Sequence, residues 1–236
     1  MPLESYHGKT FVAFIDISGF KALMKNRQRA HKALDKFYQT GYEALSTDAN
    51  RQHSCRVDGI FISDCGILFS RLNGGNFRGS DNIHALENML NIIRNIFVKM
   101  IRNDLLLTAS IAYGEFDYEE RIEFRGIEKN LMLGNAYLDA YLDNENGKPK
   151  LEPGQCRILF DDQLNELKRQ IENSNEYPFN LIARKQKDNK HLYFYWMLQN
   201  GRYIREFDKK YIDTYNLKYR GMITVLREFI DQNNFR

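Results

Sequence analysis

The segment FVAFIDISGF, residues 11–20, decides the fold. Its apolar run, rich in Phe, Val and Ile, predicts a buried β-strand over residues 9–17 that ends at Ser18 and Gly19. One acid, Asp16, stands at the end of this strand. A buried carboxylate costs free energy unless it is paired, caps a helix or binds a metal ion. Asp16 therefore needs a structural or a functional reason.

A second acid, Asp64, stands in a similar place. The segment CRVDGIFISDCGILFSR, residues 55–71, predicts two strands joined by a turn near Ser63 and Asp64. Each acid has an ordinary alternative, Asp16 as the N-cap of a helix that begins near Phe20 and Asp64 as a turn residue. Together, two carboxylates at the ends of adjacent strands predict a site for Mg²⁺ or Mn²⁺, which binds one or two carboxylates along with phosphate oxygens.

The rest of the chain predicts alternating strands and helices. The further elements include, in order, a helix over 20–46, a helix over 81–103, a strand from about residue 104 that turns at Gly114, and a final helix over 203–229. Short connections between these elements favour an α/β or α+β class.

The composition excludes several classes of protein. The 236 residues include 34 basic and 31 acidic side chains, a net charge of +3, and no dense block of Lys or Arg, so we expect no nucleic-acid binding. The sequence has no apolar run of about 18 residues, no leader pattern and no CxxC pair among its three cysteines, which predicts a cytoplasmic protein away from membranes. P-loop, dinucleotide-binding and nucleophile-elbow motifs do not occur.

Four segments resemble, in order, the motifs of class III nucleotide cyclases. They are FVAFIDISGF (11–20), FISDCGILF (61–69), LTASIAYGEF (107–116) and LGNAYLDAYLDNE (133–145). The resemblance implies an α+β fold, a ferredoxin-like βαββαβ palm with extra strands and a C-terminal helix. Residues 1–236 would then form a single cyclase domain, with a core over about 9–197 and a helical extension over about 202–232.

The resemblance also implies a homodimer with active sites at its interface and two Mn²⁺ or Mg²⁺ ions per site. It makes Asp16 and Asp64 the catalytic acids and assigns metal ligation to them and to the backbone carbonyl of Ile17. Gly19 and Phe20 would bind substrate, because a glycine lets the backbone approach the phosphates. One ion would favour deprotonation of the ribose 3′-hydroxyl, and the other would stabilise the leaving pyrophosphate.

Several positions depart from the family pattern. Where the family has an Asn and an Arg in the helix after Gly134, this chain has Leu138 and Leu142. Where adenylate and guanylate cyclases place base-reading residues, it has Ile60 and Leu131. The side chains of Ile60 and Leu131 cannot hydrogen-bond a purine. The sequence therefore argues against adenine or guanine read in the usual way.

These departures, together with the segment AYLDAYLDNE (136–145), resemble the Pycsar antiphage pyrimidine cyclases. The resemblance implies a substrate that is a pyrimidine nucleoside triphosphate, UTP or else CTP, and a cyclic UMP or cyclic CMP product sensed by a separate effector. Arg56 is a candidate donor to a pyrimidine carbonyl, or else a solvated arginine at a strand start. Thr108 and Ser110 are candidate hydroxyl contacts, or else strand hydroxyls bonded to the backbone.

Two other hypotheses remain open. Leu138 and Leu142 favour a palm-fold module that binds nucleotides without catalysis. The ordinary alternatives for each acid favour a structural or partner-binding protein.

Overall fold

Strands and helices alternate along the chain in the computed structural model, which describes residues 3–49, 55–72, 81–122, 128–160, 164–186, 188–214 and 217–232. The strands are β1 (Tyr6–Ile17), β2 (Cys55–Ile62), β3 (Cys65–Leu72), β4 (Leu107–Ile122), β5 (Glu128–Leu133), β6 (Cys156–Leu159), β7 (Ile182–Ala183) and β8 (His191–Phe194). The α-helices are α1 (Phe20–Leu23), α2 (Arg27–Ala49), α3 (Asp81–Ile101), α4 (Asn135–Asn146), α5 (Asn165–Asn173), α6 (Ile204–Asp213) and α7 (Lys218–Gln232).

The described strands form one sheet of eight with the order β2-β3-β1-β4-β6-β8-β7, and β5 pairs with β4. The neighbours within β2-β3-β1-β4 are all antiparallel. With α1 and α2 after β1, and α3 after β3, this part of the chain is a ferredoxin-like βαββαβ unit. The predicted α+β fold class is confirmed.

The two faces of β1 pack against different helices because side chains alternate along a strand. Phe11 and Ile15 belong to the main core with residues of α2 and α3. Val12 and Phe14 belong to a smaller cluster that includes Ala136 of α4. Asp16 follows Phe14 by two residues, so its side chain lies on the α4 face of the sheet.

Two predicted helices are each divided in two. The helix predicted over 20–46 breaks between α1 and α2, where the Asn26 side chain accepts a hydrogen bond from the backbone amide of Arg29 at 3.1 Å and so caps α2. The final helix is divided into α6 and α7, and the Thr214 hydroxyl donates to the Tyr211 carbonyl at 2.6 Å at the end of α6. None of the described helices has the combination of length and apolar character that crossing a lipid bilayer requires.

The turn predicted at Gly114 is wrong, because β4 continues through this residue to Ile122. Gly114 pairs in register with Thr10 of β1. A Cβ at this position would lie 2.4 Å from the side-chain oxygen of Asn135, the first residue of α4. The glycine therefore allows α4 to approach the sheet closely and does not reverse the chain.

Candidate active site

Asp16 and Asp64 lie together at one end of the sheet, as the sequence predicts. Asp16 is directly opposite Cys65 in the register of β1 and β3. Asp64 precedes Cys65 in the β2–β3 turn, and its carbonyl accepts a hydrogen bond from the backbone amide of Ile17 at 3.0 Å. The end of β1 is thus tied to the turn that carries the second acid.

The surroundings of Asp16 disfavour its charged form. Burial, together with the negative charges of Asp64 and Glu145, raises the pKa of Asp16 to about 7. A hydrogen bond from the Ile17 backbone and the charge of Lys21 act in the opposite direction without offsetting these effects. A half-buried carboxylate held beside two other acids is a favourable place for a cation.

The alternative role of Asp16, as the N-cap of the helix that begins near Phe20, is wrong. The N-cap of α1 is Gly19, and no side chain caps that helix end. The alternative for Asp64 holds in part, because Asp64 does occupy the turn and its carboxylate accepts a hydrogen bond from the Ser63 hydroxyl at 3.0 Å. Ser63, which precedes Asp64 in this turn, has a φ of 54°, in the left-handed region.

The donor set suits a hard divalent cation bound together with phosphate. Within the described residues, no group of three or more His, Cys, Asp or Glu side chains is arranged to hold a metal ion. Mg²⁺ typically takes only one or two protein carboxylates and completes its coordination with water and substrate phosphates. Asp16 and Asp64 provide two such carboxylates and a closed protein cage is not needed.

Glu145 is a member of this acidic cluster that the motifs in the sequence do not single out. It lies near the end of α4 and is exposed, yet its charge acts on Asp16. The acidic end of the segment 136–145 is a signal for it, but only the fold shows that this end of α4 meets the end of β1.

A buried ionic network fixes this end of α4. Asp143 accepts hydrogen bonds from Nε and Nη2 of Arg157, both at 2.8 Å, and from the Ser110 hydroxyl. His191 lies between Asp143 and Asp188, with ring nitrogens 2.9 Å from each carboxylate. Burial alone would raise the pKa of Asp143, but the hydrogen bonds from His191, Arg157 and Ser110 lower it to about 2. Asp143 is therefore a charged anchor inside the protein.

The next residue of α4, Asn144, provides a second anchor. Its side-chain oxygen accepts from the Thr108 hydroxyl at 3.1 Å, and its amide donates to the carbonyl of Phe14 at 3.4 Å. Thr108 and Ser110 thus bond to side chains of α4 rather than to the backbone. Thr108 lies directly opposite Asp16 in the β1–β4 register, so this contact is adjacent to the acidic cluster.

Gly19 and Phe20 follow the acid on β1. Gly19 has a φ of 76°, a left-handed conformation that glycine adopts at little cost. A Cβ at Gly19 would meet no atom within 4 Å, so the space beside it is open. The Phe20 side chain is buried in the main core. A substrate contact by Phe20 would therefore use its backbone.

Arg56 lies toward the far end of β2 from the acids. It is six residues before the end of the strand, which corresponds to roughly 20 Å at about 3.3 Å per residue. Its guanidinium is 3.3 Å from the carboxylate of Asp58 and 3.4 Å from that of Glu4. Arg71 is 2.8 Å from the same Asp58 side chain. Arg56 is thus part of an ion-pair cluster, and its role as a base contact stays a prediction.

The positions that depart from the family pattern differ in exposure. Ile60 is half-buried against the smaller core cluster, and Leu131 is also half-buried. Leu138 and Leu142 are exposed by 50% and 45% of their surface. Leu138, Tyr141 and Leu142 are exposed and lie at i, i+3 and i+4 on α4, so they form an exposed apolar patch on one face of this helix.

The fold has close structural counterparts. The dimeric guanylyl cyclase domain of the RhoGC fusion protein from the aquatic fungus Blastocladiella emersonii aligns with a TM-score of 0.53 at 12% identity, over 81% of this chain and 97% of that one. The guanylate cyclase domain of RhGC from Catenaria anguillulae, in complex with GTP, aligns with a TM-score of 0.50 at 13% identity, over 81% and 97%.

The fold is that of a class III cyclase catalytic domain. A bacterial light-regulated adenylyl cyclase also aligns, with a TM-score of 0.52 at 10% identity, over 99% of this chain and 59% of that one. No protein-family model and no curated protein sequence matches the chain. At these identities the structural neighbours show the cyclase fold alone.

Proposed function

We propose that the chain is a metal-dependent pyrimidine nucleotide cyclase that converts UTP, with CTP as second choice, to the 3′,5′-cyclic monophosphate and pyrophosphate. The observation that carries this proposal is the Asp16–Asp64 pair. Two acids meet at adjoining strand ends of a cyclase fold, and the pKa of Asp16 is raised to about 7. Acids held in this way at a functional site have the electrostatics of a cation-binding site.

Asp16, Asp64 and the backbone carbonyl of Ile17 would hold the divalent ions, two Mn²⁺ or Mg²⁺ per site. Ions bound there would lower the pKa of the ribose 3′-hydroxyl and neutralise the charge that develops on the phosphates. The chain keeps its two carboxylates in place through the bond from Ile17 to the turn. The left-handed Gly19 leaves open space next to the end of β1, where a triphosphate would lie.

The proposed reaction exchanges one phosphorus–oxygen bond for another. The ribose 3′-oxygen bonds to the α-phosphorus, and the bond from the α-phosphorus to the bridging oxygen of pyrophosphate breaks. The hydroxyl proton passes to water. No redox partner is needed, and the role of the chain is to position the triphosphate and stabilise charge.

The preference for a pyrimidine rests on apolar residues at the base-reading positions. Ile60 and Leu131 offer no hydrogen bond to a purine. Arg56 remains the proposed donor to a pyrimidine carbonyl, although Glu4 and Asp58 pair with it in the protein. A shift of Arg56 away from these acids would be required for such a contact.

The exposed apolar patch supports a homodimer. Three large apolar side chains on one exposed face of α4 are the kind of surface that protein interfaces cover. We further propose a cytoplasmic location, an antiphage role and a separate cyclic-nucleotide-responsive effector, which rest on the sequence resemblance described above.

A second candidate function is a nucleotide-binding module without catalysis. Leu138 and Leu142 favour it, because these exposed leucines replace the Asn and Arg of the family pattern and cannot stabilise charge. Such a module would bind nucleoside triphosphates and release no pyrophosphate.

The test is incubation of the purified protein with ATP, GTP, CTP and UTP, each with Mn²⁺, and resolution of the products by mass. The proposal predicts cyclic UMP, or cyclic CMP in smaller amount, together with pyrophosphate. A cyclic purine as the main product would contradict the pyrimidine assignment. Four unchanged triphosphates, with retained nucleotide binding, would favour the inactive module.

A further inference from the structure

A basic cleft lies on the face of the sheet that packs against α2 and α3, opposite the face that packs against α4. It has a volume of about 810 Å³ and opens between α2, α7 and the turn that joins α3 to β4. None of Asp16, Ile17, Gly19 or Asp64 lines it. The volume is in the range of about 300–1,000 Å³ that is typical of small-molecule sites.

The lining of this basic cleft is strongly cationic. Its described residues include one acid, Asp104, and five cations, which are Arg29, Lys32, Lys36, Arg220 and Arg227. Asp104 is already paired with Arg227 at 2.9 Å. Four cations from two helices therefore face one cleft that has no further acid in its lining. This concentration of positive charge favours an anion of high charge.

The walls of the basic cleft are fixed by hydrogen bonds. The Tyr219 hydroxyl of α7 accepts from the backbone amide of Leu106 at 2.9 Å and donates to the carbonyl of Asp104 at 3.2 Å. Arg227 donates to the carbonyl of Ile101, at the end of α3, at 2.9 Å. Helix α7 is thus held against the α3–β4 turn by the protein's own hydrogen bonds.

No local sequence pattern marks this cleft. The cations are spread over two segments that lie almost 200 positions apart, and only the fold brings these segments together. On α2, Arg29, Lys32 and Lys36 recur at helical spacing, so they share one face. On α7, Arg220 and Arg227 are seven residues apart, which is close to two helical turns.

We propose that the basic cleft is a second ligand site, distinct from the Asp16–Asp64 centre, that binds a small molecule carrying two or more phosphate groups. Arg guanidinium groups bind phosphate oxygens in pairs, and Lys adds point charges. The lining also contains Leu23, Ala33 and Ile223 beside the Tyr219 ring. Apolar walls next to a cationic face suit a nucleoside that carries a polyphosphate.

The basic cleft adjoins the acidic cluster through two connections. Leu23 belongs to α1, which begins directly after Gly19. The backbone amide of Ser18 donates to the carbonyl of Leu106 at 2.9 Å, just after the lining residues 103–105. A ligand in the cleft would therefore contact Leu23 of α1 and residues 103–105, and both of these segments are connected to the end of β1 that carries Asp16. Ligand binding in the cleft does not depend on the proposed cyclase activity.

The test uses inorganic tripolyphosphate as the probe, with binding measured by titration calorimetry in excess EDTA. EDTA removes the divalent ions that the acidic cluster would need. We expect the full chain to bind with a dissociation constant below about 100 µM. The double variant Arg29→Glu/Lys32→Glu should weaken binding at least about tenfold. If the double variant fails to fold, the milder variant Arg220→Ala replaces it. This variant should weaken tripolyphosphate binding by about threefold or more.

Two controls separate binding in this cleft from binding elsewhere on the protein. The matched variant Arg205→Glu/Lys209→Glu makes the same charge change on exposed residues of α6, outside the cleft, and should bind within about twofold of the wild type. Asp16→Ala should also bind as the wild type does. The proposal would be overturned if both double variants weakened binding equally, or if Asp16→Ala lost binding. It would also be overturned if the protein bound only RNA or anionic vesicles.

Discussion

The backbone amide of Ile17 donates a hydrogen bond to the carbonyl of Asp64 at 3.0 Å. This bond joins the last residue of β1 to the β2–β3 turn, so Asp16 stays beside Asp64 without a ligand. Because a backbone bond holds the arrangement, substitution of either side chain should leave the geometry in place. The acids can therefore be removed one at a time to test their chemistry.

Asp16→Asn is expected to make the metal-free protein more stable. At about pH 8 the Asp16 carboxylate is charged, since its pKa is about 7, and it repels Asp64 and Glu145. After allowance for solvent screening, relief of about 1 kcal/mol would raise the melting temperature by roughly 2–4 °C. Thermal unfolding in EDTA measures this. The exposed acid Asp35, changed to Asn, is the control and should shift the melting temperature little. A lower melting temperature for Asp16→Asn would contradict the account.

Arg157→Met should strongly destabilise the protein. Arg157 is fully buried and donates two side-chain hydrogen bonds to Asp143, so its loss leaves a buried carboxylate without its guanidinium partner. Breaking a buried ion pair in this way costs about 3–5 kcal/mol of unfolding free energy. Urea unfolding should show the loss, while Arg205→Met on the surface should stay within about 0.5 kcal/mol of the wild type. A small loss for Arg157→Met would show that the network does not anchor α4.

Asp143 should also contribute to acid sensitivity. Its pKa of about 2 lies below the ordinary value of 3.8, so the unfolded chain takes up this proton first as the pH falls. The stabilisation by Asp143 is then fully present above about pH 4 and is lost between about pH 4 and pH 2. The difference in melting temperature between the wild type and Asp143→Asn should shrink as the pH falls from about 5 toward 3. A constant difference across that interval would exclude this source of acid sensitivity.

The exposed apolar patch predicts a dimer that a charge should disrupt. Leu138→Glu/Leu142→Glu places two acids on exposed positions, so the fold should remain and the dimer should dissociate. Sedimentation velocity measures the change in mass. Ile212→Glu, on a more exposed residue of α6, should have the same mass in solution as the wild type. A wild type that is already monomeric at micromolar concentration would argue against the dimer.

The central part of the fold could be predicted from the sequence because its signals are local. Apolar strands that end in an acid and a turn mark the ends of β1 and β2, and these two ends meet as expected. Errors arose where a local signal had a tertiary cause. Gly114 resembles a turn residue but lies within a strand, because Asn135 of α4 needs the space that a Cβ would fill.

The rest of the site depends on contacts between distant segments. Glu145 acts on Asp16 only because Asp143 and Asn144 anchor α4 against β4 and β1. Asp143 is paired with Arg157 of β6, and no short-range pattern marks that pairing. The division of the predicted N-terminal helix follows from the Asn26 cap, which is a local signal that apolar periodicity alone does not reveal.

The most direct test of the central claim is Mn²⁺-dependent release of pyrophosphate from UTP by the wild type, Asp16→Asn and Asp64→Asn. We expect pyrophosphate and cyclic UMP from the wild type. Each variant should lose at least about 100-fold in rate while its circular dichroism spectrum is unchanged. If either variant keeps a rate within about tenfold of an active wild type, the Asp16–Asp64 pair is not the metal centre of a cyclase.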